Sequence, residues 1–170
     1  DPSLKITHFF KIVGIKGCGP GIINKLVSIG KFDTLSKIHT LTPADVISLE
    51  GFQEKSAIKL IENIRECLSQ SFTTPLIAHA SLCFGGGIGT RKFQIIENRY
   101  PQFYLPKHNL TLSLLCELEG FSEKTSEKII NQLPLFRDFL KEHPFITIKN
   151  IETTPPFNGK IYVFSGFRND

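Results

Sequence analysis

Glycine is the residue whose spacing in this chain could do chemistry. Gly17-Cys18-Gly19, Gly51-Phe52-Gln53, Gly87-Ile88-Gly89 and Gly120-Phe121-Ser122 each set a glycine and an apolar residue ahead of an apolar helical pattern. A glycine takes positive φ at no steric cost and lets another backbone approach closely. The apolar residue pins the turn inward. The next helix opens at once, and its unpaired N–H groups stand beside those of the turn. That makes a concave site for an anion, one phosphate per turn. Because the donors are backbone, such a contact positions a protein on nucleic acid without reading its sequence.

Other reactive side chains give no such pattern. Cys18, Cys67, Cys83 and Cys116 are 49, 16 and 33 residues apart, which is no metal spacing. They read as reduced, mostly buried thiols in a reducing compartment inside a cell. His8, His39, His79, His108 and His143 are scattered and receive no role. Lys31-Phe32-Asp33-Thr34 reads as a solvated loop rather than a nucleophile. No catalytic residue and no metal ligand is expected.

The turns must be held by helices, and a repeat supplies them. Leu49-Glu50-Gly51-Phe52-Gln53-Glu54-Lys55-Ser56 returns 69 residues later as Leu118-Glu119-Gly120-Phe121-Ser122-Glu123-Lys124-Thr125, identical at six of eight positions. With the two looser copies, the leading glycines fall at 17, 51, 87 and 120. A period in this range means one helical supersecondary unit per repeat, each stacking on the next. Thr42-Pro43-Ala44-Asp45 starts the helix before the second turn, with Thr42 as N-cap. Thr74-Pro75 starts the helix before the third, and Thr111 caps the one before the fourth. Gly30 ends the helix after the first turn. Phe9, Phe10, Phe52, Phe84, Phe93, Phe121, Phe136 and Phe139 read as core. Strands are scarce, with Phe145–Ile148 a short candidate. Residues 149–158 carry Thr153-Thr154-Pro155-Pro156 and read as a linker, followed by a β-rich run at Lys160–Ser165.

Charge separates the turns. Between Lys5 and Lys37 stand six lysines and one acid. The third turn carries Arg91, Lys92 and Arg99 against Glu97. Thr111–Ile148 holds four bases and six acids. The two turns that keep both glycines are thus the electropositive ones. Turns one and three are expected to contact phosphates, through Lys16, Gly17, Gly19, Gly21 and Lys25, and through Gly87, Gly89, Thr90, Arg91 and Lys92. Turns two and four mainly build the scaffold, with Gly51, Lys55 and Ser56 as secondary contacts. A net charge of +4 permits a polyanion partner without proving one. A mean hydropathy of -0.02, with no long uncharged apolar run, argues against a membrane span.

Four such turns at about 34-residue spacing resemble tandem helix-hairpin-helix motifs, which bind duplex DNA through phosphates. Taken in order, Ile15–Gly19, Leu49–Ala57, Ile88–Thr90 and Leu118–Thr125 resemble the helix-hairpin-helix domain of NAD-dependent DNA ligases. Gly159–Gly166 is similar to the first strand of a BRCT domain, which follows that domain in the family. The resemblance implies a mostly α fold of four helix-hairpin-helix units over residues 1–148, a linker at 149–158 and an incomplete BRCT-like segment at 159–170. It implies a monomeric, non-catalytic portion that grips nicked double-stranded DNA across the minor groove, with the remaining ligase domains as partners. NAD and Mg²⁺ are implied for the parent enzyme, and none is bound by this chain. The family's Lys-x-Asp-Gly motif and its four-cysteine zinc module do not occur in it. Gln53 and Ser122 replace the second glycine of their turns, so those two turns are expected to depart from the usual backbone shape. Gly85-Gly86-Gly87 points to a one-residue insertion in the third. The alternatives are a stand-alone helix-hairpin-helix scaffold of a repair or replication complex, and a protein–protein adaptor.

Overall fold

Helices start in this chain where the sequence offers a cap. The computed structural model describes residues 2–149. Its helices are α1 (Pro2–Val13), α2 (Pro20–Ser28), α3 (Pro43–Ile47), α4 (Glu54–Leu68), α5 (Thr74–Ser81), α6 (Thr90–Arg99), α7 (Leu112–Cys116) and α8 (Glu123–Glu142). Short 3-10 turns at Leu35–Thr40 and Pro106–His108 join consecutive units. At α3 the Thr42 backbone N–H donates to Asp45 Oδ2 at 3.0 Å, and Asp45 N–H donates back to Thr42 Oγ1 at 3.3 Å. This reciprocal pairing satisfies two N–H groups the helix cannot. Thr111 caps α7 through the Leu114 N–H at 3.3 Å. α5 starts at Thr74, as expected, and its cap is Thr73, whose Oγ1 accepts from Leu76 N–H, while Thr74 is buried.

The helices pair as the repeat requires. α1 packs on α2, α3 on α4, α5 on α6 and α7 on α8. α1 also packs on α5, which joins the first half of the molecule to the second. Phenylalanine fills the centre. Phe93 stacks on Phe103 at 6.1 Å between centroids, Phe103 on Phe136 at 6.5 Å, and Phe84 meets both Phe93 and Phe136. Offset and tilted ring pairs at these distances add about 0.5–1.5 kcal/mol each beyond their buried area. Of the eight expected core phenylalanines, Phe52 and Phe139 are only half-buried, whereas Phe32, Phe72 and Phe103 belong to the core as well.

The short strand expected near residue 146 is present at its end. β1 (Ser71–Phe72) and β2 (Thr147–Ile148) pair in parallel, with Ser71 opposite Thr147. Lys149, expected to open the linker, still donates its N–H to the Phe72 carbonyl at 2.6 Å. The remaining linker and the BRCT-like segment lie outside the described residues. Among the described residues, no helix is long and apolar enough to cross a membrane. Thiol burial is less complete than expected: Cys18 is buried, Cys67 and Cys83 are half-buried, and Cys116 is exposed.

Candidate nucleic-acid interface

The four turns share one local geometry, with one exception. Gly17, Gly51 and Gly120 take φ of +83°, +92° and +83°. Two residues later the N-cap is extended in each case: φ −87° at Gly19, −121° at Gln53 and −80° at Ser122. Any residue adopts that conformation. The substitutions at Gln53 and Ser122 therefore leave the turn's shape intact, contrary to the expectation from the sequence. The departing turn is the third, which keeps both glycines. There the positive φ falls on Gly85, at +87°, four residues before the N-cap Gly89. The extra glycines absorb an insertion of two residues, not the one expected from the sequence. In the intact pattern the middle residue is buried at Cys18 and Phe121, 5% and 7% exposed, and half-buried at Phe52, while Ile88 of the third turn is 4% exposed.

What the third position of the turn changes is access. Gly19 and Gly89 close α2 and α6 with no side-chain hydrogen bond. Of the first-turn amides of those helices, Lys92 N–H donates to the Gly89 carbonyl at 3.1 Å, Pro20 has none to offer, and those of Gly21, Thr90 and Arg91 lie ahead of the first i to i−4 bonds. At α8 the Ser122 hydroxyl accepts from the Thr125 N–H at 3.2 Å. At α4 the Ser56 hydroxyl accepts from the Gln53 N–H at 3.0 Å. Turn four thus has a first-turn amide occupied by a hydroxyl, and in turn two the occupied amide is that of the N-cap Gln53 itself. Turns one and three have no such side-chain bond.

The residues named at turn one lie at the surface. Lys16, Gly17, Gly19, Gly21 and Lys25 are all exposed. Asn63 on α4 supports the turn from behind, donating from Nδ2 to the Lys16 carbonyl at 3.4 Å. A Cβ on Gly19 or Gly21 would meet nothing within 4 Å.

Turn three is rearranged. Gly87 and Arg91 are exposed, and Gly89 and Thr90 are half-buried. The Thr90 hydroxyl is bonded to His79 Nδ1 at 2.8 Å. Lys92 does not stand free, as a phosphate ligand would. Its ammonium donates to the Gly120 carbonyl and lies 4.7 Å from the centre of the Phe121 ring, so it fastens α6 to the fourth turn. Lys128 of α8 makes the opposite crossing. Its Nζ would stand 2.7 Å from a Cβ on Gly85, and it has no ion-pair partner among the described residues. The acidic fourth unit therefore lends a cation to the third turn. Gly51, Lys55 and Ser56 of the second turn are exposed.

Lys31-Phe32-Asp33-Thr34 is not a solvated loop throughout. Phe32 is fully buried, Asp33 pairs with Lys37 at 2.8 Å, and Lys31 lies 3.7 Å from Asp45.

Residues 9–66, the first two of these hairpins, match the SAM-like helix-hairpin-helix tandem family. The chain carries a helix-hairpin-helix tandem. Over 174 residues it is 34% identical to a DNA ligase of Acanthamoeba polyphaga mimivirus, a match covering 97% of this chain and 27% of that protein. It is 26% identical to a DNA ligase of Coprothermobacter proteolyticus, over 89% of this chain and 23% of that relative. A DNA ligase of Thermoanaerobacter pseudethanolicus is 28% identical over 95% of the chain and 25% of its own length. The chain thus spans about a quarter of the length of these relatives.

Proposed function

We propose that this tandem is the DNA-binding, non-catalytic portion of an NAD-dependent DNA ligase. It grips double-stranded DNA beside a nick, across the minor groove, through backbone N–H groups on phosphates. The observation that carries this reading is the split between the turns. The two with a glycine at the helix N-cap carry no side chain there and are basic, whereas in the other two a hydroxyl holds the Thr125 N–H of α8 and the N-cap Gln53 N–H ahead of α4. Similarity to DNA ligases over nearly the whole chain supports the substrate class.

The residues present do not fit the parent's cofactors. The string nearest to an adenylated-lysine motif has Phe32 in the core and Lys31 beside Asp45. No group of three or more His, Cys, Asp or Glu side chains among the described residues could hold a metal ion. No chemical step is therefore assigned to this chain. NAD and Mg²⁺ belong, on this reading, to the remaining ligase domains, which are its partners in one intracellular, monomeric enzyme.

The test is nicked-duplex binding followed by salt titration. Each phosphate neutralised adds about 0.9 to the slope of log K against log salt, so two turns with a few cations give a slope on the order of −3 to −5. Gly19→Val combined with Gly89→Val should weaken binding with the fold intact, since a Cβ at either position meets nothing closer than 3.9 Å. A flat salt response, or unchanged affinity in the double variant, would remove the proposal.

A further inference from the structure

Two histidines stand behind the third turn, and the DNA reading leaves them without a task. His79 on α5 brings Nδ1 to 2.8 Å from Thr90 Oγ1, the first residue of α6. Its Cε1 lies 3.9 Å from where a Cβ on Gly89 would be. His8 on α1 donates from Nε2 to the His79 carbonyl at 2.9 Å. The two rings meet edge to face with centroids 5.1 Å apart, and both residues are half-buried.

The Thr90 hydroxyl has one hydrogen to give. If His79 Nδ1 is bare, that hydrogen goes to the ring and is lost to any ligand. If Nδ1 carries a proton, the ring donates to Thr90 Oγ1 and the hydroxyl hydrogen is free to turn outward, beside the first-turn amides of α6. A doubly protonated ring does the same and adds a positive charge. Neither histidine carries a readable signal in sequence, because a spacing of 11 between His79 and Thr90 belongs to no single helix or strand.

We propose that His79 is a positioning residue for a phosphate at the third turn: it donates through Nδ1 to Thr90, presents the Thr90 hydroxyl to the phosphate, and is held in place by His8. This rests on the DNA reading above and names the second layer of the same site. A consequence follows by linkage. A phosphate that favours the protonated ring must bind more tightly as that ring gains its proton. Burial, and then the positive charge of His8, hold the His79 pKa below its ordinary value. The ring is thus neutral at pH 7 in the free protein and gains its proton only in more acid solution. Facing it are His8 from α1 and the uncharged Thr90 from α6. No carboxylate of α1, α6 or α8 is paired with it among the described residues.

The experiment is anisotropy of a labelled nicked duplex with the full 170-residue chain, at fixed ionic strength, between about pH 8 and about pH 5. Affinity should rise as the pH falls below about 6.5, by up to tenfold for each unit by which the phosphate raises the His79 pKa. His79→Gln should abolish the rise as the pH falls. His39→Gln with His108→Gln should keep it. His8→Gln, which removes a like charge, should move the midpoint to higher pH. Independently of any variant, the His79 ring titration followed by NMR should shift to higher pH when duplex is added. A pH response that survives His79→Gln in full, or a ring titration unmoved by DNA, overturns the proposal. The two readings fail separately. Unchanged binding by Gly19→Val plus Gly89→Val at pH 8 sinks the DNA reading and this one with it. Weakened binding there, with an unaltered pH response in His79→Gln, sinks only the role given to His79.

Discussion

Gly19→Ala and Ser122→Ala occupy the same place in their turns and should fail in opposite ways. Gly19 sits at φ −87° and ψ −176°, which alanine adopts freely, and its added methyl would meet nothing within 4 Å. Alanine is a poorer N-cap than glycine, but it also lowers the entropy of the unfolded chain by about 0.4–1 kcal/mol. The two terms nearly cancel, and the melting temperature should stay within about 2 °C of wild type. On the proposed reading, the methyl stands where the backbone meets a phosphate. Losing one hydrogen bond to a charged group costs about 1.5–3 kcal/mol, which is about ten- to a hundredfold in affinity. The salt slope should shrink by about 0.9. Ser122→Ala removes the bond to the Thr125 N–H and about 1 kcal/mol of stability. That lowers the melting temperature by about 2–4 °C for a chain of this size, with affinity unchanged. Thermal melts followed by circular dichroism, together with duplex anisotropy at several salt concentrations, separate the two outcomes. A Gly19→Ala protein that melts like wild type and binds with the same affinity and slope refutes the reasoning.

Lys128→Ala should reduce the salt slope by about 0.9 with little effect on stability, whereas Lys92→Ala should cost about 0.5–1 kcal/mol of stability and leave the slope alone. Phe103→Ala, in the middle of the stacked rings, should destabilise by about 3–5 kcal/mol in denaturant titration. Thiol labelling should find Cys116 first, since it is exposed, while burial pushes the Cys18 thiol up to about 12 and protects it until the chain unfolds. The unfolded thiol releases its proton first, so this contribution to stability is constant below about pH 8.5 and declines as the pH climbs from there toward 12.

The repeat was legible because glycine spacing and cap residues are local signals. Thr42, Thr111 and Gly30 act where the one-dimensional pattern puts them. What escaped depends on contacts between segments. Ser71–Phe72 is too short to show alternation, and it exists as a strand because Thr147–Ile148 returns beside it. Phe32 sits in a polar string and Phe103 in an irregular stretch, so neither lies on a periodic face. Lys128 and Lys92 look like equivalent surface cations in the sequence. Only the packing of the third hairpin against the fourth sends one toward Gly85 and the other onto Gly120. The expectation about Gln53 and Ser122 went wrong for a different reason: it assigned a conformational need to a position that is simply extended.

The division of labour inside each bend has an evolutionary consequence. Its leading glycine answers to folding, because a positive φ there costs any other residue about 1–2 kcal/mol. The residue two places on answers only to what must come near from outside. A hairpin can therefore be retired from ligand contact by a single codon change, stay folded, and serve afterwards as a buttress for its neighbour. The second and fourth units carry Gln53 and Ser122 at that place, and mutating each to glycine offers a direct way to ask whether they then take up duplex.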